Sequence, residues 1–132
     1  AVKEAAAMWS EIGCAAVKIS VHKEETACGE GVNDLQTDGK NHVAWLGKDT
    51  WPFGAYVLGV TLPHFGEDGR LKEADIVLND VAVAWAKDGN EFEVDIQSVV
   101  AHEFGHVLGL QHVLGGQYLY EPPVMSSALA ER

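Results

Sequence analysis

The chain has 132 residues, of which 47% are hydrophobic and 22% are charged, and its formal net charge is −11 at pH 7. This composition is typical of a globular domain and excludes a largely disordered chain. Lys and Arg together number only nine, too few for the clustered positive charge that nucleic-acid binding requires. No apolar run approaches the ~20 residues of a membrane-spanning helix. We therefore predict one domain with neither a nucleic-acid partner nor a membrane span.

The first two thirds of the chain predict one helix followed by several strands. Apolar residues recur at helical spacing over residues 2–12, and Gly13 is a natural end for that helix. Apolar and polar residues alternate over residues 17–22, which predicts a strand. Further strands are predicted over residues 42–46, 56–62 and 71–79, with Pro63 ending the second of these. Residues 51–54 predict a turn anchored by aromatic side chains.

A second helix is predicted from Asp95 to Gly109. Asp95 is a favourable N-cap residue, and its carboxylate suits the positive end of the helix dipole. Gly109 can adopt the positive φ that commonly ends a helix. The order of helix, strands and helix indicates an α+β fold with a mixed or antiparallel sheet.

The chain contains two cysteines, Cys14 and Cys28. Neither belongs to a C-x-x-C pair, so a cysteine-based structural zinc site is not predicted. A disulfide between them is favoured over two buried free thiols, and it would imply an oxidising compartment. The chain begins without Met and without the basic and apolar regions of a signal peptide. We therefore expect a processed or excised piece of a secreted protein.

The predicted second helix carries a pattern of metal ligands. His102 and His106 are four residues apart, so both imidazoles lie on one face of the helix and can reach one ion. Imidazole is a preferred ligand of Zn²⁺. Glu103 follows the first ligand and lies about 100° further round the helix. It is placed to accept a proton from metal-bound water as a general base.

Gly109 accounts for a third ligand. A helix continued past this point would carry His112 away from the metal, whereas a glycine turn lets the chain swing back towards it. Three histidine ligands leave a fourth coordination position open, which is typical of a catalytic rather than a structural zinc. A zinc site without catalysis is the alternative, although such a site would not need the carboxylate of Glu103.

The segment from His102 to His112 reads H-E-x-x-H-x-x-G-x-x-H and resembles the metzincin clan of zinc endopeptidases. Within that clan the chain is most similar to bacterial matrixin-like catalytic domains, a likeness that residues 58–63 and 74–79 also carry. The resemblance implies zinc ligation by His102, His106 and His112, with Glu103 as the general base. It also implies a metzincin-like α+β domain in which Met125 lies under the ligands.

The same resemblance implies a twisted mixed sheet with an antiparallel edge strand that binds extended peptide by strand addition. The substrate-binding residues would then be Leu58, Gly59, Val60 and Thr61. The sequence departs from the matrixin pattern after the third ligand, with Val113 in place of the usual Ser, and with Ser126 and Ser127 in place of Tyr-Pro. These departures affect the pocket that selects the substrate. No tyrosine zinc ligand is predicted.

These observations predict a secreted or extracellular, monomeric zinc endopeptidase that acts on protein or peptide substrates, with association with the cell surface through a longer precursor left open. Residues 1–132 would form a single catalytic domain, with an upper part of about 1–109 and a short lower part of about 110–132. The alternatives are a non-catalytic zinc-binding or adhesion module and a hydrolase of small peptides. Calcium binding by Asp68, Asp75 and Asp80 is left open, although solvated turn carboxylates are the favoured interpretation.

Overall fold

The computed structural model describes residues 1–22, 35, 37–81, 84–86, 93–113 and 123–127. These residues belong to two compact units, one formed by residues 23–83 and the other by residues 1–22 and 84–132. Among the described residues, no helix has the length and apolarity that crossing a membrane requires.

The unit of residues 23–83 contains a three-stranded sheet. Its strands are β1 (Val43–Leu46), β2 (Gly59–Phe65) and β3 (Leu71–Asn79), in the spatial order β1-β3-β2. The central strand β3 runs parallel to β1 and antiparallel to β2. The predicted mixed sheet with an antiparallel edge strand is therefore confirmed, and the edge strand is β2.

The core of this unit lies against β1 and β3. The residues from Glu73 to Asn79 are all buried, so both faces of the central strand are covered. A cluster of Leu35, Ala44, Leu46 and Val77 is packed against Trp51, Phe53, Val60 and Leu62. The predicted aromatic turn packs against this cluster through Trp51 and Phe53, and the two rings meet edge to face with centroids 5.0 Å apart.

Polar side chains at the start of β3 hold the segment that precedes β1. The Glu73 carboxylate accepts hydrogen bonds from the backbone N–H groups of Thr37 and Gly39, and Asp75 Oδ1 accepts one from His42 N at 2.9 Å. Asp75 is only 1% exposed. The interpretation of Asp75 as a solvated turn carboxylate is therefore wrong, whereas Asp68 and Asp80 are exposed as expected.

Strand β2 begins and ends about three residues later than the sequence pattern predicts. Residues 56–58 precede it, and it continues through Pro63 to Phe65. Proline has no N–H to donate. A central strand uses the N–H groups on both of its sides, whereas an edge strand tolerates a proline whose nitrogen faces the side without a ladder partner. The prediction that Pro63 ends the strand is wrong for this reason.

The other unit is built around two helices. Helix α1 (Val2–Ser10) packs against helix α2 (Ile96–Val107), burying Ala5 and Ala6. The indole Nε1 of Trp9 donates to the carbonyl of Ala101 at 2.8 Å and fixes one helix against the other. A short parallel pair, β4 (Trp85–Ala86) and β5 (Val94–Asp95), leads into α2.

Residues 17–22 do not form the predicted strand. The backbone N–H of Ile19 donates to the hydroxyl of Ser10 at 2.9 Å, so this segment is tied to the end of α1 by a side chain. The alternation of apolar and polar residues is real, with Val17, Ile19 and Val21 less exposed than their neighbours. A segment lying along a surface produces the same pattern as a half-buried strand.

Candidate metal centre

Helix α2 begins at a side-chain cap. Asp95 has extended backbone angles, and its Oδ2 accepts hydrogen bonds from Ser98 N and Ser98 Oγ, both at 2.7 Å. The N-cap role predicted for Asp95 is confirmed. The helix is buried at Ile96 and from Val99 through Gly105. It is therefore a fixed support for any side chain that projects from its second half.

The end of α2 reverses the chain at Gly109, whose φ is +87°. Gly109 N donates to His106 O and Leu110 N donates to Gly105 O, both at 2.9 Å. This pair of bonds is the Schellman arrangement, which satisfies the last carbonyls of a helix around one left-handed residue. His112 is returned towards the helix as a result, as the sequence predicts.

Three imidazoles converge on one point. The Nε2 atoms of His102, His106 and His112 lie 3.0–3.1 Å from one another, and among the described residues they are the group able to hold a metal ion. Two nitrogens bound to one tetrahedral zinc at about 2.0–2.1 Å lie about 3.3 Å apart. The observed spacing therefore fits a single zinc ion. The acidic residues Asp68, Asp75 and Asp80 do not form a comparable group.

The hydrogen-bonding chemistry of these rings also points to a cation. His102 Nδ1 lies 2.7 Å from the carbonyl of Val124, and His106 Nδ1 lies 2.8 Å from the carbonyl of Leu110. In each neutral ring the single proton is therefore on Nδ1, where it can be donated to the carbonyl, and Nε2 presents a lone pair. Lone pairs directed at one another repel, and a shared metal ion removes that repulsion. Carbonyl partners of this kind also fix the orientation of ligating imidazoles.

The protonation of the cluster favours ligation. Burial lowers the pKa of His102, and the nearby His106 lowers it further, although the bond to Val124 O acts in the opposite direction. Burial also lowers the pKa of His112, with smaller contributions from His102 and His106. A lowered pKa keeps an imidazole neutral at pH 7, which is the form that binds metal.

Glu103 follows His102 on α2 and is 5% exposed. Its negative charge acts on His112, whose pKa it raises against the effect of burial. A carboxylate next to the cluster but outside the ligand set is the arrangement that a general base requires.

Met125 packs beneath the helix at a place where α2 has no side chain. A Cβ built on Gly105 would lie 2.1 Å from Met125 Sδ and 3.1 Å from Trp9 Cζ2. Met125 itself is 6% exposed. It is held there by its carbonyl, which accepts a hydrogen bond from Val113 N at 2.8 Å. The same backbone pairing brings Val124 O to His102.

Several contributors to this centre were not predicted from the sequence. They are Gly105, Trp9 and the carbonyls of Leu110 and Val124. A glycine inside a helix is destabilising unless packing requires it, so Gly105 could have been singled out on that ground. The two carbonyls carry no signal, because every residue has one.

The remaining predicted site residues belong to other segments of the chain. Leu58, Gly59, Val60 and Thr61 belong to the unit of residues 23–83, with Leu58 just before β2 and the others in it. Cys14 is an exposed free thiol, and Cys28 lies outside the described residues. The disulfide between them therefore stays a prediction.

The family model for matrixins matches residues 46–125. The chain belongs to the matrixin family. It is similar to stromelysin-3 from Mus musculus and from Xenopus laevis, with 34% identity over 121 residues in each case. The aligned part is 92% of this chain and 22% of each relative, so the chain spans about a fifth of their length. No solved structure matches it significantly.

Matrixins are zinc metalloproteases, and the matched region contains all three histidines, Glu103 and Met125. The predicted family and the α+β metzincin-like fold are thereby confirmed.

Proposed function

We propose that this matrixin domain is a zinc-dependent endopeptidase in which Glu103 is the general base. The observation that supports this most strongly is the convergence of three imidazole Nε2 atoms within 3.1 Å, with a buried carboxylate beside them. A non-catalytic metal site has no use for that carboxylate.

In this proposal His102, His106 and His112 hold the zinc, each through Nε2. Bound zinc supplies a water of lowered pKa and a Lewis acid for the carbonyl oxygen of the scissile bond. Glu103 accepts the proton of the attacking water and later delivers it to the leaving amine. The carbonyls of Val124 and Leu110 hold two of the imidazoles in the tautomer and orientation that ligation needs.

We further propose that the substrate is bound as an added strand along β2. Asn79 N donates to Leu58 O at 2.9 Å, so Leu58 faces β3. The N–H and C=O groups of successive residues in a strand point to alternate sides, so those of Gly59 and Thr61 point away from β3. An extended peptide would pair with those two residues, and Leu58 and Val60 would hold β2 in register.

The first experiment replaces Glu103 with Gln, which has nearly the same shape and cannot accept the proton. We expect kcat/KM for casein-derived peptides to fall by about 10²–10⁴-fold, while one zinc per chain is retained. The zinc content is measured by atomic absorption and the cleavage by mass spectrometry of the digest. Glu93→Gln is the matched control, because Glu93 is exposed and precedes the helix.

The outcomes separate the competing functions. Full activity of Glu103→Gln, with contaminating protease excluded, would overturn the mechanism. One bound zinc in the wild-type protein without cleavage of any peptide would favour a zinc-binding or adhesion module. Cleavage that disappears when both peptide ends are blocked would indicate a hydrolase of small peptides.

We also propose that the chain acts outside the cell, as a monomer and as a single catalytic domain over residues 1–132.

The extracellular location would allow a disulfide between Cys14 and Cys28. Peptide mapping of the secreted protein with and without reduction tests the disulfide, and sedimentation equilibrium tests the monomer. A reduced Cys14 throughout the secreted material would contradict the pairing.

A further inference from the structure

Asn79 is a fully buried amide at the carboxyl end of the central strand β3. Its exposed fraction is 0%. Buried amides are costly unless their donors and acceptors are satisfied, so the partners of such a side chain indicate what it holds. Neither the motif of the metal centre nor the chemistry proposed for it involves this residue.

The Asn79 side chain binds the segment that leads into the edge strand. Its Nδ2 donates to the carbonyls of Ala55 at 3.2 Å and Val57 at 2.9 Å. Its backbone N–H donates to Leu58 O at 2.9 Å. The Oδ1 atom accepts from Val81 N at 2.8 Å, which fixes the orientation of the amide. One residue therefore holds three carbonyls among four successive residues.

This segment has little other support from burial. Tyr56 is 92% exposed and Val57 is 38% exposed, so their side chains contribute little to holding the backbone. A hydrogen bond from Val57 N to Gly54 O at 3.0 Å closes the turn locally, but it does not fix the turn against the sheet. The bonds from Asn79 do so, and they set the position from which β2 begins.

We propose that Asn79 is a positioning residue for substrate binding, acting through the segment from Ala55 to Leu58. This inference rests on the proposed function, because it takes β2 as the strand that pairs with the peptide. By fixing the start of β2, Asn79 holds the first backbone groups of the edge in the extended geometry that an added strand needs. A peptide then binds without having to order that segment first.

The test replaces Asn79 with Asp, which has almost the same shape. The variant keeps the acceptor for Val81 N but loses both donated bonds. The protein carries Glu103→Gln as well, so that zinc-loaded samples bind peptide without cutting it. The probe is a fluorescein-labelled ten-residue casein peptide that the wild-type protein cleaves, together with versions shortened one residue at a time from each end. Fluorescence anisotropy gives the dissociation constants.

We expect Asn79→Asp to weaken binding of the ten-residue peptide about tenfold. Peptides too short to reach the Ala55–Leu58 segment should bind both proteins equally. In the active background, KM should rise by the same factor while kcat changes less than twofold. Hydrogen exchange at the amides of residues 57–60 should become about tenfold faster, and this measurement does not depend on activity.

Asn41→Asp is the matched control, because it introduces the same charge at the other end of β3 and keeps the acceptor for Ala74 N. If Asn79→Asp does not fold, Asn79→Ser replaces it. Unchanged binding of the long peptide, or equal weakening of every length, would overturn the positioning role. Absence of cleavage by the wild-type protein would instead overturn the proposed function.

Discussion

Gly105 lies where Met125 and Trp9 approach the backbone of α2, and the contact leaves no room for a methyl group. A Cβ there would lie 2.1 Å from Met125 Sδ. We expect Gly105→Ala to lower the free energy of unfolding by about 1–3 kcal/mol, since overpacked side chains must move. Zinc affinity should fall as well, because the displaced Met125 carries Val124 O with it. Urea denaturation and zinc titration measure the two effects.

The control for this substitution is Gly13→Ala, where nothing lies within 4 Å of the added Cβ. Both variants change glycine to alanine in the same unit. Equal stability of the two variants would contradict the packing role of Gly105.

Asp75 gives a second test at the level of a single residue. Its Oδ2 is buried and, within the described part of the chain, has no hydrogen-bond partner. Burial raises the pKa of Asp75, and the nearby Glu73 raises it further, against the bond from His42 N. The folded state therefore binds more protons than the unfolded state between the two pKa values, and the free energy of unfolding falls as pH rises through that window.

We expect Asp75→Asn to remove this dependence, because the amide keeps an acceptor for His42 N and carries no charge. Relative to wild type, the variant should gain stability as pH rises through the window, and the gain should be constant above it. Urea denaturation from the acid range to neutral pH measures the difference. The same change at the exposed Asp49 is the control, and parallel pH profiles for wild type and Asp75→Asn would refute the expectation.

At the scale of the helix, the cap at Asp95 should matter for the whole metal centre. Asp95→Ala removes the acceptor for Ser98 N and Ser98 Oγ. We expect a loss of about 0.5–2 kcal/mol in the free energy of unfolding. Thermal denaturation followed by circular dichroism measures it, with exposed Glu93→Ala as the control. A loss no larger than that of the control would show that the cap contributes nothing.

The elements that the sequence predicted well are those whose pattern is local. Periodicity and capping place α1 and α2 within about two residues, and the turn at Gly109 follows from one residue type. Segments 17–22 and 56–62 were misjudged because strand pairing depends on residues outside the segment itself. The length of β2 is set by its register with β3, which the alternation within residues 56–62 does not contain.

At the scale of the whole molecule, zinc binding should stabilise the folded state, because one ion would join two histidines of α2 to His112 in the chain that follows it. Binding to the folded state alone should add about 2.7 kcal/mol at a free zinc concentration of 100 times the dissociation constant. We expect chelation to lower the melting temperature, with recovery on addition of zinc, as measured by calorimetry. His112→Ala should abolish the shift, and His22→Ala, an exposed residue outside the centre, should preserve it. A melting temperature indifferent to zinc would contradict this stabilisation.

The candidate metal centre was predictable to the extent that its three histidines are close in sequence. His102, His106 and His112 lie within eleven residues, so helix geometry relates them directly. Met125 was inferred by resemblance, and its contact with Gly105 depends on the pairing of Val113 with Ser126. This contact joins residues that are twenty positions apart in the chain, and the sequence between them does not by itself specify which residues will pair.

Pro63 has a consequence for the assembly of the molecule. The alternation that turns Gly59 and Thr61 away from β3 also turns the nitrogen of Pro63 outward, where it carries no hydrogen to donate. A neighbouring copy of the chain aligned along β2 would lose its ladder at that point, whereas a short peptide paired over residues 59–62 would not need it. The edge can therefore pair with a short peptide but resists extension into an intermolecular sheet. Such extension leads to aggregation and is the general hazard of exposed edge strands.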